Sequence, residues 1–202
     1  MILVRNESFK EFLSKYPITS AIVFLNTIAF LYTSLLGALS GEGIFNRWGG
    51  ISLEYIQQNE YYRFFSYAFL HGSFAHFAFN MAAIIIINPP IEKSLGKLKY
   101  AVLFFFTILG SAIAILIMSN HAVVGASGFG YGVFGVYLSI ICFKKKLIDR
   151  QSRTALLVFI TIGWLITLFA KGVSFAGHFG GFISGFVLGI VFLWTNSFKE
   201  MK

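Results

Sequence analysis

Five long stretches of the chain contain no Asp, Glu, Lys or Arg, and this distribution of charge constrains the fold more than any other feature. They cover residues 16–41, 64–91, 100–143, 154–170 and 172–198. A helix needs roughly 17 to 25 apolar residues to cross a bilayer, and each stretch is close to that length or longer. The composition agrees, because 12% of the residues are charged against about 25% in soluble domains. The pattern predicts a multi-pass membrane protein.

The third stretch is too long for a single crossing. As one helix, residues 100–143 would extend about 66 Å, at about 1.5 Å per residue, whereas the hydrocarbon core is about 30 Å thick. The polar turn formers Ser119, Asn120 and His121 precede a glycine-rich segment and mark a reversal. We therefore predict an all-α membrane protein, a bundle of six transmembrane helices at residues 18–38, 74–91, 100–118, 127–143, 154–170 and 176–197.

Lys and Arg accumulate on the cytoplasmic side of membrane proteins, so their distribution predicts the orientation. With six spans, thirteen of the 16 basic residues lie on the face that holds both termini. Arg47, Arg63 and Lys171 lie on the other face. We predict that the N- and C-termini are cytoplasmic. The net charge of +8 fits anionic lipid headgroups better than nucleic acid.

The chain reads as one domain. A cytoplasmic N-terminal segment (1–17) precedes the membrane domain (18–198), and a short tail (199–202) follows it. The first external loop, about 39–73, is long and aromatic, so we expect it to be partly ordered and to lie against the outer leaflet. A cleaved signal peptide at residues 1–39 is a less favoured alternative, because its apolar run exceeds the usual 7 to 15 residues.

Polar side chains are costly inside a bilayer and indicate function. Near or within the predicted spans are His71, His76, Asn80, Ser127, Tyr131 and His178. Helical spacing of four places His76 and Asn80 on one face, and likewise Ser127 and Tyr131. The even-numbered spans all begin on the external side, so these residues are expected at similar depth.

Glycines at four-residue intervals let membrane helices approach closely. The sixth span carries Gly177, Gly181, Gly185 and Gly189, and the fourth carries Gly128 and Gly132. If these two stripes pack together, Ser127 and His178 meet at the external end of the pair.

A serine hydroxyl becomes a nucleophile when a base takes its proton, and imidazole is the usual base. No carboxylate is in range to complete a triad, so the pattern suggests a Ser127–His178 dyad with Tyr131 stacked on the ring. The developing oxyanion needs hydrogen-bond donors, for which His76, Asn80 and backbone N–H groups are available. Helix packing for the serine, and helix capping or interhelical hydrogen bonding for the histidines and Asn80, are the alternatives.

Three motifs resemble those of the rhomboid intramembrane serine proteases: GASG at residues 125–128, GHFGGFISG at 177–185 and HFAFN at 76–80. The resemblance implies that Ser127 is the nucleophile, that His178 is the general base and that Tyr131 packs on the imidazole. It also implies an oxyanion hole formed by His76, Asn80 and the Ser127 N–H.

The same resemblance extends to residues with structural roles. His71 matches a histidine of bacterial members, and Glu92 in IEKSLG resembles a carboxylate at the foot of the second helix. Arg63 follows Tyr62 where many members read Trp-Arg. The chain corresponds to the bacterial six-helix core form.

The sequence thus suggests an intramembrane serine endopeptidase that cleaves single-span proteins near the external face of the bacterial cytoplasmic membrane. Its expected partners are transmembrane substrates and the lipid bilayer, with no cofactor, metal or nucleic acid. One alternative is a catalytically silent relative that binds or escorts membrane segments. The other is a small transporter or channel, which would require an ionisable residue near mid-membrane.

Overall fold

The computed structural model describes residues 2–4, 6–40, 49–199 and 201. Three basic residues used to predict the orientation, Arg5, Arg47 and Lys202, lie outside the described residues. Within the described ranges the regular structure is helical, and the one departure is an isolated antiparallel bridge between Ile51 and Val123. The predicted all-α class is therefore confirmed for this part of the chain.

The described chain contains ten α-helices. They are α1 (Phe9–Lys15), α2 (Pro17–Ser40), α3 (Leu53–Gln57), α4 (Arg63–Ser66), α5 (Phe74–Ile87), α6 (Pro89–Leu95), α7 (Lys97–Met118), α8 (Ser127–Phe143), α9 (Arg150–Phe169) and α10 (Phe175–Trp194). Short 3-10 helices follow α4 at Tyr67–Phe69 and α8 at Lys145–Leu147.

Four of these helices, α2, α7, α9 and α10, are long and apolar enough to cross a membrane. The segment Arg63–Phe69 and α5 would make a fifth crossing if counted together, although they meet at a bend of 93°. Helix α8 is apolar but has 17 residues. The protein is an integral multi-pass membrane protein with four to five candidate spans among the described residues. The count of six and the orientation of the termini stay predictions.

The second predicted span ends earlier than expected. It was predicted to run to residue 91, but α5 ends at Ile87 and a new helix, α6, begins at Pro89. Pro89 and Pro90 carry no backbone N–H to continue the hydrogen bonds of α5. Proline is favoured in the first turn of a helix, so the same pair starts α6.

Large apolar side chains cover the outside of the bundle. Exposed examples on α2, α7 and α9 include Phe24, Leu31, Phe105, Ile117 and Phe169. Helix α8 is the most enclosed, because α7 and α10 pack along it. A surface of this kind is stable when lipid chains, rather than water, surround it.

Glu92 links α6 to the start of α2. Its carboxylate is 2% exposed and accepts hydrogen bonds of 2.8 Å from the backbone N–H groups of Ile18 and Thr19. These N–H groups are in the first turn of α2 and have no acceptor within the helix. Glu92 therefore caps α2 from α6, and the negative charge also suits the positive end of the helix dipole.

Arg63 organises the first loop. Its side chain is buried, and its Nε donates to Glu60 Oε2 at 2.5 Å while Nη1 donates to the Gly50 carbonyl at 2.9 Å. The guanidinium also lies 3.8 Å from the centre of the Tyr55 ring. The Arg63 hydrogen bond holds the pKa of Glu60 below its ordinary value. These contacts join α3 and α4 into one ordered unit, as expected for part of this loop.

The described part of the first loop, from residue 49 onward, also supports the segment before α8. Ile51 and Val123 exchange two backbone hydrogen bonds of 2.9 and 3.0 Å. Gly125 N–H donates to the Tyr67 carbonyl at 2.9 Å. Residues 119–126 are therefore held at two points, and the start of α8 is fixed in place.

Candidate active site

Ser127 is the first residue of α8 and is half-buried. The N–H groups of Phe129 and Gly130 donate to the Ala126 carbonyl, which closes the first turn. Because of their position in that turn, the N–H groups of Ser127 and Gly128 have no intrahelical acceptor. The serine hydroxyl thus stands beside two backbone donors at the positive end of a helix dipole.

The glycine stripe of α10 lies against the backbone of α8, whereas a Cβ added at Gly128 or Gly132 would meet Ser111 or Thr107 of α7. A Cβ added at Gly181 would overlap the Gly128 carbonyl oxygen, and one added at Gly185 would overlap the Gly132 carbonyl oxygen. Gly189 faces Ser139 of α8 at the far end of the pair. At the near end, the Gly177 carbonyl is within 3.6 Å of the Cβ position of Gly128. This contact brings the residues next to Ser127 and His178 together.

His178 lies in the first turn of α10 and is 6% exposed. Ser174 caps the start of this helix, and its hydroxyl accepts a hydrogen bond from Gly177 N–H at 3.1 Å. The imidazole stacks on the ring of Tyr131, with the ring centroids 3.8 Å apart and the planes 10° from parallel. Tyr131 is one turn below Ser127 on α8, so the stack holds the imidazole against the helix that begins with the serine.

Thr167 is a site residue that the sequence argument missed. It lies on α9, is 4% exposed, and its Oγ1 is 2.7 Å from His178 Nδ1. The same oxygen is 2.6 Å from the Tyr131 hydroxyl. Both hydroxyl groups also donate to the Gly163 carbonyl, Thr167 at 2.9 Å and Tyr131 at 2.5 Å. Side chains from α8, α9 and α10 therefore meet in one hydrogen-bonded cluster.

His76 and Ser127 both lie next to Gly125. The Cβ position of Gly125 is 2.8 Å from His76 Nε2 and 3.8 Å from Ser127 Oγ. Gly125 has a φ of +132°, a conformation that glycine adopts without strain. The absence of a side chain at this position leaves room for the imidazole next to the serine.

Asn80 and His71 have different surroundings. Asn80 lies one turn below His76 on α5, and its Nδ2 donates to the His76 carbonyl at 2.9 Å. The side-chain amide of Asn80 is thus engaged with its own helix. His71 is fully buried, and its ring is 4.9 Å from the ring of His76 at 66°, an edge-on contact. His71 therefore packs behind His76 and contributes to the position of that ring.

The arrangement supplies the components of acyl-transfer chemistry. A hydroxyl, an imidazole ordered by stacking and a hydrogen bond, and a set of nearby N–H donors are placed around the N-terminus of α8. Within residues 2–4, 6–40, 49–199 and 201, no group of three or more His, Cys, Asp or Glu side chains is placed to hold a metal ion.

Comparison with known proteins agrees with these motifs. A family model for the rhomboid domain matches residues 58–195. The rhomboid protein YdcA of Bacillus subtilis is 26% identical over 189 residues, which cover 93% of this chain and 94% of YdcA. Rhomboid protease GlpG of Haemophilus influenzae is 30% identical over 140 residues, which cover 67% of this chain and 71% of GlpG.

A third relative is named for its lack of activity. Inactive RHOMBOID-like protein 8 of Arabidopsis thaliana is 29% identical over 157 residues, which cover 76% of this chain. The chain spans between 36% and 48% of the length of several plant relatives, including this one. The matched region of 58–195 contains α4 to α10 and every candidate site residue named above. The chain belongs to the rhomboid family.

Proposed function

We propose that this protein is an intramembrane serine endopeptidase in which Ser127 is the nucleophile and His178 the general base. The observation that carries the proposal is the state of His178, which is buried, stacked on Tyr131 and in contact with Thr167 through Nδ1. With Nδ1 engaged, Nε2 is the nitrogen left to take a proton from the serine. A histidine that served only to cap a helix would have no need of two ordering contacts from two other helices.

In the proposed reaction, His178 Nε2 removes the proton of Ser127 Oγ as that oxygen attacks a peptide carbonyl of the substrate. The carbonyl oxygen becomes an oxyanion beside the Ser127 N–H and His76, which donate hydrogen bonds to it. The proton on His178 then passes to the leaving amine, and the peptide bond breaks. Water, activated by the same imidazole, hydrolyses the acyl-enzyme and regenerates the serine.

Asn80 has a smaller part in this account. Its Nδ2 already donates one hydrogen to the His76 carbonyl. The second hydrogen of the amide is available to the oxyanion or to a water molecule. We assign His76 and the Ser127 N–H as principal donors, with Asn80 as a further donor.

The length of α8 supports hydrolysis below the membrane surface. With 17 residues, the helix is about 26 Å long, shorter than the roughly 30 Å of the hydrocarbon core. Lys144, Lys145 and Lys146 follow its C-terminus and favour a position at the cytoplasmic surface. Ser127 then lies several ångströms inside the opposite face, where a transmembrane substrate can reach it.

The proposed substrates are membrane-anchored proteins with a single span, cut near the external face. Rhomboid proteases as a class act on transmembrane substrates within the bilayer. The bacterial relatives YdcA and GlpG support a bacterial cytoplasmic membrane as the location. The proposal includes the six-helix domain of residues 18–198 with both termini cytoplasmic, the N-terminal segment 1–17 and the tail 199–202.

The direct test is cleavage of a single-span reporter protein in liposomes by the purified wild type, Ser127→Ala and His178→Ala. We expect cleavage by the wild type alone. Ser139→Ala is the matched control on the same helix, since Ser139 Oγ is buried and donates to the Val136 carbonyl. Equal cleavage by all four proteins, or by none, would refute the proposal.

A second candidate is a catalytically silent protein that binds or escorts membrane segments. The relationship to Inactive RHOMBOID-like protein 8 is the observation that favours it. The presence of both Ser127 and His178 at adjoining helix ends argues against it. In the liposome experiment, this candidate predicts that the reporter binds to the wild type and stays intact.

A further inference from the structure

We propose that Thr167 is the positioning residue that keeps His178 in the Nδ1–H tautomer, with Nε2 free to act as the base. This inference rests on the proposed Ser127–His178 dyad and gives it the orienting group that the sequence argument could not find. Thr167 Oγ1 and His178 Nδ1 are 2.7 Å apart, and the two side chains are 4% and 6% exposed. A contact this short and this buried fixes the ring about the axis that stacking on Tyr131 leaves free.

Thr167 contacts groups on two other helices, whereas Thr19 of α2 contacts one, the Tyr100 hydroxyl of α7 at 3.0 Å. Thr27 and Thr107 donate to carbonyls one turn earlier in their own helices, at 2.8 Å in each case. Thr167 makes the same kind of bond, to Gly163, and in addition contacts groups on two other helices. A threonine hydroxyl in a membrane helix can meet its need for a hydrogen bond at the carbonyl one turn earlier, so it does not require those two further contacts.

The direction of the hydrogen bonds follows from counting protons. The Gly163 carbonyl can only accept, and the hydroxyl groups of Thr167 and Tyr131 both donate to it. With its one proton on the Gly163 carbonyl, Thr167 Oγ1 has only lone pairs to offer. The Tyr131 proton, which lies between Gly163 and Thr167, uses one lone pair, and the other faces His178. In this arrangement the imidazole donates from Nδ1, which places its acceptor nitrogen at Nε2.

The same arrangement suits the reaction cycle. When Nε2 takes the serine proton, the imidazolium still carries its proton on Nδ1, so the bond to Thr167 persists. Thr167 thus has the orienting role that a carboxylate has in a Ser-His-Asp triad. It does so as a neutral hydroxyl, and the charge-free segment 154–170 contains no acidic residue. The histidine is held by α9 as well as by α8, so the positions of all three helices determine its geometry.

The test uses the full-length chain in detergent micelles with ¹⁵N-labelled histidine. The chain has four histidines, so His178 can be assigned by its loss in His178→Gln. Two-bond ¹H–¹⁵N spectra distinguish the two neutral tautomers. We expect Nδ1–H for His178 in the wild type and in Thr167→Ser, and a mixture of tautomers in Thr167→Val.

Reporter cleavage is measured on the same samples. Thr167→Val is expected to lower kcat about tenfold, in line with the loss of one buried hydrogen bond, with KM unchanged and with recovery in Thr167→Ser. Thr107→Val is the matched control, because Thr107 is a buried threonine whose hydroxyl contacts only carbonyls of its own helix. It should keep the wild-type His178 spectrum and kcat.

An Nε2–H tautomer in the wild type, or a His178 spectrum that is the same in Thr167→Val as in the wild type, would overturn the role of Thr167. The spectra do not depend on catalysis. Suppose that the wild type does not cleave the reporter, but that the Nδ1–H tautomer seen in the wild type is lost in Thr167→Val. That result would refute the protease proposal and leave the positioning role in place. If the wild type cleaves the reporter and Thr167→Val has the same kcat and the same His178 tautomer, the positioning role is refuted and the protease proposal stands.

Discussion

The ring of Tyr131 lies parallel to the imidazole of His178, with the centroids 3.8 Å apart and an angle of 10° between the planes. The two residues come from α8 and α10, which approach closely because Gly181 and Gly185 of α10 lie directly against the α8 backbone. The stack positions the imidazole beside the helix that begins with Ser127. It also brings the Tyr131 hydroxyl to Thr167 and Gly163, so that one side chain contributes both a stacking surface and a hydrogen bond.

These two contributions of Tyr131 can be separated by mutation. Tyr131→Phe keeps the ring and loses the hydroxyl, so we expect kcat to fall about fivefold, as for the loss of one hydrogen bond. Tyr131→Leu also loses the stack and should lower kcat a further two- to tenfold, which corresponds to about 0.5–1.5 kcal/mol for an aromatic pair. Rates are measured by reporter cleavage in liposomes.

Tyr137→Phe is the control for this pair. Tyr137 is a fully buried tyrosine on the same helix, and its hydroxyl donates to the Ile87 carbonyl at 2.7 Å. It is two turns away from the stack, so its loss should lower stability without lowering kcat. Equal kcat values for Tyr131→Leu and the wild type would contradict the role given to the stack.

Close contact between α8 and α10 is expected to stabilise the folded protein. A Cβ at Gly185 would overlap the backbone of Gly132, so Gly185→Ala must push the helices apart, at a cost of about 1–3 kcal/mol. We expect a lower midpoint of thermal unfolding in detergent. Gly130→Ala is the matched control, because no atom lies within 4 Å of the added Cβ. A midpoint for Gly185→Ala as high as that of Gly130→Ala would be inconsistent with the packing.

Gly125 is expected to be essential for activity. Alanine there would have a Cβ 2.8 Å from two atoms of the His76 ring and a φ of +132°. Gly125→Ala should therefore displace His76 from the serine and lower kcat/KM by more than tenfold, by analogy with the loss of one oxyanion-hole donor. Gly172→Ala also places alanine at a positive φ, +76°, but with no atom within 4 Å. If both variants lost activity equally, strain rather than His76 would be the cause.

The cap of α2 makes a prediction about folding rather than catalysis. Glu92→Ala leaves two backbone N–H groups, those of Ile18 and Thr19, without their acceptor. The expected loss of unfolding free energy is about 1–3 kcal/mol, measured by denaturation in mixed micelles. Glu11→Ala removes an exposed carboxylate that also caps a helix, α1, and should change the midpoint far less. An unchanged midpoint for Glu92→Ala would show that the cap is dispensable.

Hydropathy predicted most of the fold. The charge-free stretches correspond to α2, α5, α7, α8, α9 and α10, and the reversal at residues 119–126 lies where turn formers interrupt the longest stretch. The error at the end of α5 arose because Ile87 and Ile91 flank the proline pair with equally apolar residues. Hydropathy does not register that proline lacks an N–H, which is what ends the helix.

The candidate site was less accessible to sequence reasoning. Spacing of four placed His76, Ser127 and Tyr131 on definite helix faces, and the glycine stripes indicated which helices meet. Thr167 gave no signal, because a threonine in a membrane helix can be satisfied by its own backbone, as Thr27 and Thr107 are. The role of the first loop was also hidden, since the bonds from Ile51 to Val123 and from Tyr67 to Gly125 are backbone contacts that carry no side-chain pattern.

Covalent labelling of Ser127 by a fluorophosphonate tests the central claim most directly, because the reagent needs an activated serine and no substrate protein. We expect one adduct per folded chain, located at Ser127 by mass spectrometry and absent from Ser127→Ala. Loss of the base in His178→Ala should slow labelling by a factor of about 10² to 10⁴. Labelling of the wild type at a different serine, or at the same rate in His178→Ala, would contradict the proposed dyad.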